Sequence, residues 1–147
     1  MKWKSKIWII LSLIALIGLV DAGYLTYEHY INPLGGCTLG GCQEVTTSKY
    51  SVIFGIIPLS LTGMLYYGLV LVLSVLSWLL EKERLLKIVS YFTFVGLLAS
   101  IYFVYLQLIV LKSICPYCML SACTSTLLCI VGVVFIKLES VMKSNNV

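Results

Sequence analysis

Residues 88–111, IVSYFTFVGLLASIYFVYLQLIVL, run from end to end without a charged side chain. About 20 apolar residues, at roughly 1.5 Å of rise each, make a helix long enough to cross the hydrocarbon core of a bilayer. Three further stretches have the same character, and the first of them holds the only acid of the four, Asp21: residues 7–27, 58–80 and 115–136. The sequence therefore predicts an all-α membrane protein, a bundle of four transmembrane helices.

Composition supports a single integral membrane domain over residues 1–147. The chain is 61% hydrophobic and only 11% charged, whereas soluble domains carry roughly 25% charged residues. In a soluble protein, the net charge of +4 would suggest nucleic-acid binding. Here, however, the charged residues lie at the ends of the apolar stretches. We therefore expect no nucleic-acid partner.

Charged residues predict the orientation. With both termini in the cytoplasm, the outer side carries only Lys49 and Lys112, and the other basic residues lie inside: Lys2, Lys4, Lys6, Lys82, Arg84, Lys87, Lys137 and Lys143. Cytoplasmic loops carry the excess of lysine and arginine in membrane proteins. The chain is therefore predicted to be a multi-pass protein of the cell membrane, N-in and C-in, with the connection between the first two spans outside.

The first stretch also resembles a secretory signal, because lysines precede an apolar run. A signal has a shorter apolar core of ~7–15 residues and a small-x-small cleavage site. The sequence here stays largely apolar through residues 21–27, DAGYLTY, and has no clean Ala-x-Ala site. We interpret the stretch as a retained span.

The predicted outer loop, residues 28–57, contains the glycine-rich segment GGCTLGGC at residues 35–42. Glycines on both sides of Cys37 and Cys42 permit backbone conformations that other residues resist, so the loop could carry its cysteines between partners. A connector closed by a static disulfide is the alternative. A short surface helix or half-helix is expected from about Ser48 to Ile57, with the second span beginning at Pro58.

Cys115-Pro116-Tyr117-Cys118 opens the fourth predicted span. Two cysteines three residues apart lie on one face of a helix, and Pro116 suits the first helical position. The partial positive charge at the helix N-terminus favours a thiolate, which makes the pair competent for thiol–disulfide exchange. Cys118 lies one turn deeper and is suited to passing electrons to a membrane-soluble acceptor. A thioredoxin-like domain would need a surrounding βαβ pattern, which this chain lacks.

Other readings of the cysteines remain open. A zinc site fits Cys-x-x-Cys but not the wider spacing of Cys37 and Cys42, and we expect no metal. The chain could be a non-catalytic protein held by structural disulfides, or a conduit that reduces outer thiols from a cytoplasmic donor. The conduit would need cysteines reachable from the cytoplasmic face; Cys129 is the deepest and stands alone. Cys123 and Cys129 are predicted to be small buried hydrophobes.

Taken together, these features resemble a bacterial homologue of vitamin K epoxide reductase. The resemblance rests on four spans, the paired-cysteine loop after the first, FGIIPLS at residues 54–60 and Cys-x-x-Cys at the start of the fourth. It implies a quinone-dependent disulfide oxidoreductase that supports disulfide formation in exported proteins. Cys37 would meet the thiol partner, Cys42 would relay to Cys115, and Cys118 would react with a quinone of the menaquinone or ubiquinone type.

The resemblance has consequences for the quinone site and the partner. Ser48 stands where the family carries a serine near the quinone, although it could equally cap a short helix. Some members place a tyrosine four residues after the inner cysteine, where this chain has Ala122. Many relatives carry a fused thioredoxin-like domain. This chain ends soon after its fourth span, so a separate thioredoxin-like or disulfide-oxidase protein outside the membrane is the expected partner.

Asp21 stands apart because acids within a span are costly unless they are solvated or paired. It lies in the outer part of the first span. It could assist proton release as the dithiol is oxidised, or it could simply lie near the membrane surface.

Overall fold

A computed structural model describes the chain over residues 2–31, 45, 48–53 and 57–144. Nearly all of this part is helical. The described residues form four helices that are each long and apolar enough to cross a membrane: α1 (Lys2–Ile31), α2 (Leu59–Leu80), α3 (Glu83–Tyr105) and α4 (Pro116–Ser144). The predicted architecture of four transmembrane helices is confirmed.

The helices form an up-and-down bundle. Only Glu81 and Lys82 separate α2 from α3, so these helices run antiparallel as neighbours. Helix α1 packs against α2 and α4, and α3 packs against the same two helices. Near the start of α3, Lys87 forms an ion pair with Glu139 in the last part of α4, with a nitrogen–oxygen distance of 2.6 Å. The start of α4 therefore lies at the opposite end, beside the end of α1.

The interior of the bundle contains small polar side chains as well as apolar ones. Ser74, Ser77, Ser90 and Thr93 have no exposed surface, while large apolar side chains such as Leu98 cover the outside. Two of these hydroxyls bond within their own helix: that of Ser90 donates to the carbonyl of Leu86 at 2.9 Å, and that of Thr93 donates to the carbonyl of Ser90 at 2.6 Å. Small residues let helices approach closely in a membrane, where lipid solvates the outer face.

The segment before α2 differs from the predicted short helix between Ser48 and Ile57. It makes one turn of 3₁₀ helix, Lys49–Ser51, followed by two short antiparallel strands, β1 (Val52–Ile53) and β2 (Ile57–Pro58). Branched side chains at three of these four strand positions favour extended backbone. Residues 54–56 lie outside the described part, as does the glycine-rich segment with Cys37 and Cys42.

Candidate functional site

The Cys-x-x-Cys pair forms the N-terminal cap of α4. The helix begins at Pro116, as predicted, and the Met119 N–H donates to the carbonyl oxygen of Cys115 at 3.0 Å. The Cys118 N–H donates to Cys115 Sγ at 3.4 Å. The sulfur thus takes the acceptor position that a serine or aspartate oxygen takes at an ordinary N-cap.

Hydrogen bonds to this sulfur change its acidity. They lower the pKa of Cys115 from 9.0 to about 7, chiefly through the Cys118 side chain, with help from the backbone N–H groups of Cys118 and Tyr117; burial opposes them. Cys115 has no exposed surface. The predicted direction of the pKa change is confirmed, although the thiol of Cys118 contributes more than the helix terminus does. Cys115 can therefore act as a nucleophile or as a leaving thiolate near neutral pH.

Gln107 holds the backbone of Cys115 from the preceding element. Helix α3 continues as a short π-helix, Leu106–Leu111, which ends at Lys112 in a left-handed conformation with φ of 51°. The side-chain oxygen of Gln107 accepts a hydrogen bond from the Cys115 N–H at 3.1 Å, and Gln107 is buried. Sequence reasoning missed this residue. The sequence does contain an indication of its role, because Gln107 is the only amide side chain in residues 88–111.

The end of α1 covers the pair from the side. Leu25 and Cys115 form one buried cluster, against which Val45, Tyr117 and Cys118 pack. The ring of Tyr24 lies 5.1 Å from that of Tyr117, centroid to centroid. Helices α1 and α4 therefore enclose Cys115 between them.

Cys118 borders an apolar cavity of about 450 Å³ that is lined by α2, α3 and α4, by the end of α1 and by the segment before α2. Small residues help to open this space, since Gly63, Gly96 and Ala99 lie in its wall. At Gly96 the absence of a side chain matters, because an added Cβ would overlap the hydroxyl end of Tyr66. The inner sulfur thus has access to a volume suited to an apolar ligand.

The cavity wall exposes mainly apolar surface but also contains polar side chains. Ser48 and Ala122 both line it, and the Ser48 hydroxyl donates to the Val45 carbonyl at 2.8 Å without capping the 3₁₀ turn. The hydroxyl of Tyr66 is buried and has no hydrogen-bond partner among the described residues. Its ring packs against Phe92 at 5.3 Å between centroids. Tyr66 therefore offers an unused donor in the same wall as Ala122.

Tyr67 ties α2 to α4 just below the cysteine pair. Its hydroxyl donates to the carbonyl of Ser121 at 2.7 Å and lies 2.8 Å from the Thr124 hydroxyl. The ring occupies the space left by Gly18 of α1, where a Cβ would overlap it. This contact brings three helices together at one level.

The other two cysteines of α4 differ from each other. Cys129 is buried, as predicted. The prediction for Cys123 is wrong, because this side chain is exposed on the outside of the bundle. Cys123 follows Cys118 by five residues, which places it about 140° further around the helix. A membrane helix can expose such a small apolar side chain to lipid without cost.

Asp21 is buried within the bundle. Only 6% of its surface is exposed, and neither carboxylate oxygen has a hydrogen-bond partner among the described residues. Its charge also acts on Cys115, so it lies near the cysteine pair.

Helices fit to cross a membrane, with a Cys-x-x-Cys pair where one of them begins, define a helical membrane protein with a dithiol at a helix start. The chain belongs to the vitamin K epoxide reductase family, which it matches over residues 9–133. It is also 33% identical over 134 residues to the thiol-disulfide oxidoreductase LTO1 of Arabidopsis thaliana. That match covers 85% of this chain but 35% of the plant protein, so the chain spans about a third of its relative's length. These similarities support an oxidoreductase with a redox role in disulfide chemistry.

Proposed function

We propose that this protein is a membrane thiol:quinone oxidoreductase. It oxidises the dithiol of a separate thioredoxin-like protein outside the membrane and passes the electrons through two cysteine pairs to a quinone. The observation that carries the proposal is the position of Cys118, which borders an apolar cavity while its partner Cys115 caps the same helix. This arrangement suits transfer from a water-soluble thiol to an apolar acceptor, and its outcome is disulfide formation in exported proteins.

The cavity fits the head group of a quinone. Its wall is mainly apolar and includes the aromatic rings of Tyr66 and Phe92. The unpartnered hydroxyl of Tyr66 can donate to a carbonyl oxygen, which supplies the kind of contact missing at Ala122. Ser48 lies in the same wall and is a second candidate contact. When bound, a menaquinone or ubiquinone accepts two electrons and two protons.

The cysteines act in sequence. The partner's thiolate attacks the Cys37–Cys42 disulfide, and the partner leaves oxidised. The reduced loop then attacks Cys115 in its disulfide with Cys118, so that Cys118 departs as the leaving group. Resolution of the resulting mixed disulfide between Cys42 and Cys115 releases the Cys115 thiolate, which the hydrogen bonds at the start of α4 stabilise. The Cys115–Cys118 dithiol is then ready to give up two electrons beside the cavity.

Replacement of Cys118 tests this proposal. The wild-type protein in nanodiscs should reduce a menaquinone or ubiquinone analogue when supplied with a reduced thioredoxin-like protein, and Cys118→Ala should abolish that activity. Cys123→Ala is the matched control, because it removes another cysteine of α4 that faces outward. Normal quinone reduction by Cys118→Ala would contradict the mechanism.

A further inference from the structure

Asp21 is a buried carboxylate that the proposed relay does not use. Both of its oxygens are buried and neither has a hydrogen-bond partner among the described residues. Burial of an ionisable group without a partner is costly in any protein and especially within a membrane. The carboxylate is therefore not engaged by a hydrogen bond to the described chain.

The packing of α1 against α4 sets the level of Asp21. Leu25 packs against Cys115 at the outer end of the two helices. Further in, Gly18 lies against Tyr67, whose hydroxyl reaches Ser121 of α4. Helix α1 runs toward the end of the bundle that holds the cysteine pair, and α4 runs away from it.

Asp21 is one helical turn inward from Leu25, and Cys118 is one turn inward from Cys115. The two contacts on either side of Asp21 therefore place it level with Cys118.

Titratable groups on the helices packed against α1 lie at the level of Asp21. Helix α4 presents the Cys115–Cys118 pair, and α2 presents Tyr67, whose hydroxyl is already bonded to Ser121. Helix α2 has no charged side chain along its length. The negative charge of Asp21 raises the pKa of Cys115. The hydrogen bond from the Cys118 side chain lowers that pKa by more.

We infer that Asp21 accepts a proton from the Cys115–Cys118 pair when this dithiol closes into a disulfide. This inference rests on the proposed function. Closing the sulfur–sulfur bond removes two electrons and two protons from the two thiols, and both electrons leave to the quinone. One proton has already left Cys115 when it is a thiolate. The remaining proton passes to the Asp21 carboxylate, which becomes a carboxylic acid and then releases it toward the reduced quinone or water.

Replacement of Asp21 by Asn removes the acceptor while keeping the shape of the side chain. Loss of the negative charge should shift the pH profile of Cys115 alkylation to lower pH. At pH 6 alkylation should become about threefold faster, because a larger share of the thiol is ionised at that pH. The measurement uses reduced Cys37→Ala/Cys42→Ala protein without quinone, read by mass spectrometry.

The same substitution should slow turnover although it makes the thiol more acidic. In the otherwise wild-type chain with quinone, kcat of Asp21→Asn should fall at least tenfold, and the acid limb of the pH–rate profile should flatten. The KM for quinone should stay unchanged, because Asp21 does not line the cavity. Asp21→Glu should retain most of the rate. Ser74→Ala removes another buried, unpartnered polar group and should change neither readout.

Each outcome is decisive. An unshifted alkylation profile in Asp21→Asn, or a shifted profile with undiminished turnover, overturns the role of Asp21 while leaving the quinone reductase intact. Wild-type protein that reduces no quinone overturns the proposed function itself, and the acceptor step with it. A shifted profile together with a lower kcat and an unchanged KM supports the proton transfer.

Discussion

Cys115 serves both as a reactive group and as a structural cap. Its sulfur accepts the N–H of Cys118 at the point where serine or aspartate oxygens commonly close a helix. The same contact favours the thiolate and fixes where α4 begins. Reactivity and local structure therefore depend on one atom, and they should respond to pH together.

The acidity of Cys115 predicts a pH-dependent reactivity. Its folded-state pKa of about 7 lies below the ordinary value of 9.0. Alkylation of Cys115 in the reduced protein should therefore rise to half its maximum near pH 7, as followed by mass spectrometry of the modified peptide. Cys123 is the internal control, since it makes no such contact with a helix terminus. A midpoint for Cys115 near pH 9 would contradict the capping contact.

The same shift affects stability. A lowered folded-state pKa means that the folded protein binds fewer protons, so its stabilising contribution is complete above about pH 9 and is lost as pH falls through about 7. The urea midpoint of the reduced protein should rise between these two values. Cys115→Ser should flatten that rise.

Gln107 is expected to matter through the backbone of Cys115. Gln107→Met keeps the length of the side chain but leaves the buried Cys115 N–H without its acceptor, which costs about 1–3 kcal/mol. Thermal unfolding in detergent should show the loss, and turnover should fall because the start of α4 loosens. Gln107→Glu retains an acceptor oxygen and should preserve more of the activity. Equal activity of Gln107→Met and wild type would show that this contact is dispensable.

Close approach of α3 and α4 depends on a glycine. A Cβ at Gly132 would lie 2.9 Å from the Thr93 hydroxyl and 3.3 Å from the backbone of Ser90. Gly23 of α1 has nothing within 4 Å of the same position. Gly132 and Gly23 therefore provide a matched pair of positions, one crowded and one open, for testing the contact between α3 and α4.

Valine at these two glycines should have different effects. Gly132→Val should destabilise the bundle by about 1–3 kcal/mol, the usual cost of overpacking, whereas Gly23→Val should change stability little. Unfolding by sodium dodecyl sulfate in mixed micelles, followed by circular dichroism, measures both. Similar losses at the two positions would mean that the helical cost of valine, and not the α3–α4 contact, determines the result.

The secondary-structure elements differ in how well the sequence predicts them. The helices followed from long apolar runs, and the start of α4 followed from Pro116. The hairpin of β1 and β2 lies where the sequence predicts a short helix, because Pro58 indicates the start of the second span and leaves the residues before it as a separate segment. The branched side chains of Val52, Ile53 and Ile57 instead favoured pairing of extended backbone.

Among the described residues, most of the charged side chains lie toward one end of the bundle. Lys87 meets Glu139 there, Lys82 and Arg84 lie where α3 begins, and Lys137 lies in the last third of α4. The Cys-x-x-Cys pair lies at the other end. The predicted N-in, C-in orientation would place the redox chemistry outside the cytoplasm.

Reporter fusions test that orientation. Green fluorescent protein fused after Ser144 should fluoresce, whereas alkaline phosphatase at that point should stay inactive, since it folds only outside the cytoplasm. A phosphatase inserted between Lys112 and Ser113 should be active. The opposite pattern would place the cysteine pair on the cytoplasmic side and would exclude an exported partner.

Four spans, their predicted orientation and a cysteine pair at a helix start could all be derived from the order of residues along the chain. These features are local: they depend on segment length, on the balance of charge and on spacings within one turn of helix. The cavity beside Cys118, the bond from Cys115 to Gln107, the outward face of Cys123 and the burial of Asp21 became visible in the folded bundle. In a membrane the lipid-facing surface is as apolar as the core, so hydrophobic periodicity does not reveal which side of a helix meets its neighbours. Packing between helices determines which side of each helix faces inward, and it brings Asp21 level with Cys118.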